Sequence, residues 1–272
     1  MTTLTLVASL AFTDSGPAPS GETVILVHGL ASSKECWRLV IPLLAPYARV
    51  IAVDLPGHGA TPPPTSEEVT PAELAATLEQ FMRELHIDRA HFVGNSMGGW
   101  AVLELAANGT AASAVGLCPA GLWNPFGTPG PLVSFNHVLA RSVRPAIPAL
   151  LHIAPLRWAL VSSGVQRPIA MPYDVAVDAA YAQANAVGFE ALFKGMANRA
   201  FERTGDISPS VPVTIAFGDH DRILNARNCQ RRELAPAHAK WMTLWNCGHA
   251  PMYDVPSVVR DIILDTAGLS QS

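Results

Sequence analysis

Residues 93–100, VGNSMGGW, set one serine among three glycines, with apolar sequence on both sides. A chain gives up side chains around a hydroxyl where its backbone must turn sharply or approach another segment closely. The residues before it, AHFV, read as a buried strand, and MGGWAVLELAAN after it reads as a helix. Gly94-Asn95-Ser96-Met97-Gly98 is therefore a G-x-S-x-G turn from strand to helix. Such a turn holds its serine in a strained backbone conformation, with the free N–H groups and positive dipole end of a helix behind it. Gly94 and Gly98 lack the bulk that would keep the turn from closing.

Working outward, short runs rich in Val and Ile recur along the chain: TVILVHG, ARVIAVDLPG, AHFVGNS, ASAVGLCP, VPVTIAFGD and KWMTLW. Their polar residues do not alternate, so both faces of each are expected to be buried, as in a parallel sheet. LTLVASLAF, residues 4–12, reads as the first strand rather than a leader, because no Lys or Arg precedes it. Helical stretches lie between the strands. One opens with Thr70 as cap, Pro71 at the first helical position and Glu73 three residues beyond the cap, which predicts a capping box. VPSVVRDIILDTA forms the last helix. Alternating strands and helices predict an α/β fold with a mostly parallel, doubly wound sheet.

The alternation stops at about residue 120 and resumes at about 210. We read residues 1–119 and 210–272 as two parts of one core and 120–209 as a helical cap inserted between them. PAIPALLHIAP and YDVAVDAAYAQANAVGFEALFKGMANRAFER are its expected helices. An insertion at this place is a natural lid. Trp123, Phe126, Phe135, Trp158, Tyr173 and Tyr181 are expected to be mostly core, with some lining a pocket. TPPPTSEE at Thr61–Glu68 reads as a stiff surface loop.

Of 272 residues, 49% are hydrophobic and 15% charged, enough for one sizeable core. The formal net charge of −4 and the scattered Lys and Arg speak against a nucleic-acid surface. No apolar run is long enough to span a bilayer, and no membrane partner is expected. Cys36, Cys118, Cys229 and Cys247 lack metal-type spacing and read as reduced thiols of a cytoplasmic protein. The oligomeric state is open at this level.

A serine hydroxyl needs a base, and the base needs an orienting group. With a strand-to-helix elbow the chain order is serine, acid, histidine. His249, in NCGHAPMYDVP before the last helix, is the best placed of nine histidines to be the base. VPVTIAFGDHDRIL offers Asp219 and Asp221 as the acid. We favour Asp221, three residues past Gly218, where the loop can turn back towards the histidine. Asp219 then holds the turn, and His220 is loop structure. The oxyanion hole needs two backbone donors. Met97, after the nucleophile, supplies one, and Leu30, after TVILVHG, the other. Gly29 permits close approach there, and His28 is expected to buttress the loop. Asp54 and His58 in DLPGHGAT could be two metal ligands without a third, so Pro-Gly-x-Gly is better read as a tight turn. No metal or organic cofactor is expected.

Five blocks in this order, HG at 28–29, DLPGHG at 54–59, GNSMGG at 94–99, GDHD at 218–221 and GH at 248–249, resemble the α/β-hydrolase superfamily. The resemblance implies the fold and a Ser96, His249, Asp221 triad, and covers nearly the whole chain outside the insertion. It says less of the substrate. Epoxide hydrolases of this fold use an aspartate where this chain has Ser96. The meta-cleavage carbon–carbon hydrolases share GNSMGG but place a tryptophan after the histidine, where this chain has Ala250. Proline iminopeptidases carry Pro-Gly where this chain has HGLASS. The expectation is a serine hydrolase acting on an apolar carboxylic ester or lactone. The alternatives are a carbon–carbon hydrolase or perhydrolase of the same fold, or a non-catalytic ligand receptor.

Overall fold

Of the chain, the computed structural model describes residues 5–7, 10–124 and 131–270. The Val- and Ile-rich runs form the strands β1 (Thr5–Val7), β2 (Leu10–Asp14), β3 (Thr23–Val27), β4 (Arg49–Val53), β5 (Ala90–Asn95), β6 (Ala111–Leu117), β7 (Val213–Gly218) and β8 (Lys240–Leu244). They make one eight-stranded sheet in the order β1-β2-β4-β3-β5-β6-β7-β8. The pairs from β4 to β8 are parallel, and β1 and β2 add an antiparallel edge. The helices are α1 (Ile41–Leu44), α2 (Pro71–Glu84), α3 (Met97–Ala107), α4 (Pro131–Ser142), α5 (Ile147–Leu151) and α6 (Ala154–Val161). They continue with α7 (Tyr173–Asn185), α8 (Phe189–Met196), α9 (Ala226–Cys229), α10 (Pro251–Asp254) and α11 (Pro256–Ala267).

Every residue of β3, β5, β6 and β7 is buried, as expected for strands covered on both faces. Successive side chains of a strand point to opposite faces, so each strand feeds two apolar layers. Ile25 and Val27 join the layer of α2 and α3 with Leu74, Phe81 and Trp100. Val24 and Leu26 join the layer of α1 and α11 with Leu44, Val259 and Ile263. Each such side chain removed from water contributes about 1.5–3 kcal/mol. The capping box is formed: Glu73 N–H donates to Thr70 Oγ1 at 3.2 Å, and Thr70 N–H donates to Glu73 Oε2 at 2.7 Å.

Three expectations are corrected. The run 4–12 holds two strands and not one: β1 and β2 pair antiparallel, with Val7 opposite Leu10 and Leu6 opposite Ala11. PAIPALLHIAP spans two helices, because Pro148 and Pro155 each sit in the first turn of a separate one, α5 and α6. The stretch from Tyr173 breaks between α7 and α8 at Ala186–Gly188 and is not helical beyond Ala197. At the break Gly188 N–H donates to Gly57 O at 2.9 Å, and a side chain on Gly188 would begin 2.5 Å from Pro56 O. Contact with the Pro56–Gly57 turn decides the interruption.

Helices α4 to α8 lie between β6 and β7; α4 to α7 share an apolar cluster that includes Ile147, Leu151, Leu160, Val161, Val175 and Ala176, while α8 sends Leu192 and Met196 into the layer of α2 and α3. Tyr173 and Tyr181 pack against it. Phe135 and Trp158 are not core: they are 63% and 52% exposed. Their helices turn other residues inward, Asn136, His137 and Ala140 on α4 and Leu160 and Val161 on α6. Phe126 lies outside the described residues.

Candidate active site

Ser96 adopts φ 54° and ψ −118°, in the part of backbone space that L-residues avoid. Such strain costs of order 1–3 kcal/mol and persists only where the surroundings over-determine it. Here they do. Ser96 N–H donates to Leu117 O at 3.0 Å, and Ser96 O accepts from Trp100 N–H at 3.1 Å and Ala120 N–H at 2.9 Å. A Cβ on Gly94 would stand 2.1 Å from Gly98 O, and one on Gly98 would stand 2.5 Å from both Val27 O and His28 O. Strand, turn and helix therefore close only with glycine at both positions. Gly29 passes so near that a Cβ there would lie 2.9 Å from that of Ser96.

His249 Nδ1–H donates to Asp221 Oδ2 at 2.8 Å. A carboxylate only accepts, so the neutral ring carries its proton on Nδ1 and leaves a lone pair on Nε2. Both side chains are buried, with the residues 6% and 8% exposed. Asp221 Oδ1 accepts from Ile223 N–H at 2.9 Å and Leu224 N–H at 2.8 Å. Burial pushes the Asp221 carboxyl up, but the adjoining His249 and these N–H donors outweigh it and hold it below the usual aspartate value. Asp219 takes the other part expected of the pair: its Oδ1 accepts from Cys247 N–H at 3.0 Å and meets His220 Nδ1 at 2.7 Å.

Asn95, between Gly94 and the serine, ties these parts together. Its Nδ2 donates to Leu117 O at 3.0 Å and to His249 O at 2.9 Å. Asp254 holds the histidine loop from the other side, with Oδ2 accepting from Gly248 N–H and from Gln166 N–H of the insertion, both at 2.9 Å. Ala250 N–H donates to Gly164 O at 2.8 Å.

The loop after β3 rests on two buried histidines. His28 Nδ1–H donates to Gly29 O at 2.7 Å, and its Nε2 accepts from Leu55 N–H at 3.0 Å. His58 Nδ1–H donates to Pro56 O at 3.0 Å, and its Nε2 accepts from Ala31 N–H at 3.1 Å. Both rings are thus neutral Nδ1–H tautomers. Burial lowers the pKa of each, that of His58 to about 3, with His28 adding to the effect. Asp54 is equally committed: it accepts from Lys34 N–H at 2.7 Å, Lys34 Nζ at 3.0 Å and Ala60 N–H at 3.0 Å. Asp54 and His58 are spent on loop structure. The Cys118 Sγ lies within 4.8 Å of ligand atoms of Asp221 and His249, but burial pushes this thiol well above its ordinary pKa and keeps it protonated.

Ser96, His249, Gly29 and Leu30 line one side of a cavity of about 120 Å³. The insertion closes it with Asn136, Val161, Val165, Gln183, Phe193 and Met196. Among the described residues, neither the Leu30 N–H nor the Met97 N–H donates to a protein acceptor. Sequence reasoning missed Asn95, Asn136 and Gln183, and singled out His58 without its bond to the Leu30 loop. Asn95 sits inside the G-x-S-x-G turn and was legible there as a polar residue at a buried position. Asn136 and Gln183 carry no local signal.

A model of the alpha/beta hydrolase family matches residues 24–262. The chain belongs to the alpha/beta hydrolase family. Among curated members it is 28% identical over 207 residues to the epoxide hydrolase EphH of Mycobacterium tuberculosis, which covers 71% of this chain and 92% of that one. It is 42% identical over 86 residues to the 2-hydroxy-6-oxo-6-(2'-aminophenyl)hexa-2,4-dienoic acid hydrolase of Metapseudomonas resinovorans, over 30% of this chain and 29% of that one. Of several such relatives the chain spans only 22–36% of the length. The enol-lactonase of Burkholderia xenovorans LB400 superposes with a TM-score of 0.74 over 95% of this hydrolase and 96% of that one, at 21% identity, which is a likeness of fold. No helix among the described residues of this family member is long and apolar enough to cross a membrane.

Proposed function

We propose that this hydrolase cleaves carboxylic esters or lactones through an acyl-enzyme on Ser96. Ser96 Oγ attacks the carbonyl carbon as His249 Nε2 takes its proton. Asp221 keeps the ring in the Nδ1–H tautomer and stabilises its charged form. The N–H groups of Met97 and Leu30 receive the developing oxyanion. His249 returns the proton to the departing alkoxide oxygen. It then takes a proton from water, whose oxygen attacks the acyl carbon; the bond from that carbon to Ser96 Oγ breaks, His249 gives the proton to Oγ, and the acid leaves. The helices α4 to α8 act as a cap that shields this chemistry from bulk water.

The observation that carries the reading is the 2.8 Å bond between His249 Nδ1 and Asp221, on a ring that shares a cavity with the strained Ser96. A buried histidine with a free Nε2, lining the same cavity as a serine held at high backbone cost, supports a catalytic pairing of the two. The described cavity wall carries no Lys, Arg, Asp or Glu, which fits a neutral substrate better than the acids that carbon–carbon hydrolases of this fold cleave.

A panel of nitrophenyl esters, simple lactones and a meta-cleavage acid, run beside Ser96→Ala, tests this. Expected is turnover of neutral esters or lactones that falls about 10⁶-fold in the variant. Turnover of the meta-cleavage acid alone, or activity unchanged by Ser96→Ala, would overturn it.

A further inference from the structure

The cavity wall supplied by the insertion is apolar except at the Ser163 hydroxyl and two amides. Asn136, on α4, is 9% exposed, and its Nδ2 has no hydrogen-bond partner. Gln183, on α7, has a buried Oε1 that also lacks a partner. Both residues line the cavity that Ser96 and His249 line from the other side. The two helices are pinned to each other at this level, since His137 Nδ1–H donates to Gln183 O at 2.7 Å and the His137 ring stacks on Phe189 with centroids 4.3 Å apart. The amides are thus held on packed elements.

Buried donors and acceptors in native proteins almost always have partners, so a pair without them needs a reason. One is a spare donor and the other a spare acceptor. The described wall around them holds no charged Lys, Arg, Asp or Glu. The complement is a neutral group that accepts from Asn136 Nδ2–H and donates to Gln183 Oε1. A single alcohol oxygen does both. A carboxylate offers no proton to Gln183 and brings a charge into a wall that holds no countercharge.

Resting on the hydrolase reading, we infer that Asn136 and Gln183 form a hydroxyl-recognition site, and that the substrate is a neutral ester or lactone with a hydroxyl group at its cap-facing end. Between turnovers a water bridges the two amides, and the substrate hydroxyl takes its place with the same bonds. A plain alkyl chain in that position must strip the amides and replace nothing.

The test uses Ser96→Ala, so that binding is read without turnover. Calorimetry compares a medium-chain fatty acid methyl ester with the same ester bearing one hydroxyl at successive chain positions. Expected is about tenfold tighter binding for the hydroxyl position that reaches the amides. That ratio falls to about one when Asn136→Leu or Gln183→Met is added. Both replacements keep volume and remove the unpaired group, so the melting temperature holds or rises. No gain at any hydroxyl position, a ratio that survives both variants, or a marked fall in melting temperature in both would overturn the inference. Failure of the underlying reading looks different: nitrophenyl ester turnover by wild type is then insensitive to Ser96→Ala, whatever the binding ratio.

Discussion

Asn95 Nδ2 bonds the backbone carbonyl of His249 at 2.9 Å, so the residue before Ser96 ties the histidine loop to the elbow. The two loops are 154 residues apart in sequence. The same amide group is held by Leu117 O at 3.0 Å, at the end of the neighbouring strand. Asn95→Ala leaves two buried carbonyls with fewer donors. It should cost about 1–3 kcal/mol of stability and lower kcat more than it raises KM, because only the relative position of base and nucleophile changes. Chemical denaturation and steady-state kinetics on one ester check both. An unchanged kcat would show that Asp254 alone positions the loop.

Asp221 holds the proton of His249 on Nδ1 through a bond of 2.8 Å. Asn in its place has an N–H of its own and favours the wrong ring tautomer. Asp221→Asn should fold and lose kcat by on the order of 10³–10⁴. A loss below tenfold in ester turnover would move the acid role elsewhere, with Asp219 the first place to look.

Gly94 has no space for a methyl group: its Cβ would stand 2.1 Å from Gly98 O and 2.3 Å from the Gly98 carbonyl carbon. Both are backbone atoms of the elbow, so no side chain can swing away. Gly94→Ala should destabilise by more than about 3 kcal/mol, beyond ordinary overpacking. Gly205→Ala is the control, because nothing lies within 4 Å of a Cβ there. Urea midpoints of the two variants measure the contrast.

His58 is neutral in the fold, with a pKa lowered to about 3 by burial and by His28. Once unfolded it titrates near pH 6.5. Between those values the unfolded chain binds the extra proton, so stability is retained above about pH 6.5 and falls as the pH drops towards 3. His28 is lowered in the same direction and steepens the fall. His58 alone should account for roughly 5 kcal/mol by pH 3. Unfolding free energies from pH 7 to pH 4 measure the slope. A flat profile would mean that the ring is protonated in the fold and that its bond from Ala31 N–H is not made.

Much of the fold was legible because its signals are local. Unalternating Val and Ile runs must be covered on both faces, and Thr70-Pro71-x-Glu73 starts a helix whatever surrounds it. The turn at Ser96 was equally plain, since Gly94 closes against Gly98 within a few residues. The sequence narrowed the acid to Asp219 and Asp221 because one loop of four residues holds both, and it is Asp221 that bonds His249. The antiparallel pairing of β1 with β2 and the break before α8 were not legible. Each is set by a distant partner: a strand pairing in the first case and the Pro56–Gly57 turn in the second.

The sequence by itself determined the parallel strands of the sheet, the strand-turn-helix at Ser96, and which serine, aspartate and histidine are candidates for one site. These follow from periodicity, from steric limits on a tight turn and from chain order. Only the tertiary structure decided that Asn95 bonds the histidine loop, that His58 holds the loop carrying Leu30, and that Asn136 and Gln183 face the cavity unpaired. Hydrogen bonds between segments far apart leave no trace in local pattern, because any surface Asn, Gln or His would read the same until packing places it and removes its water.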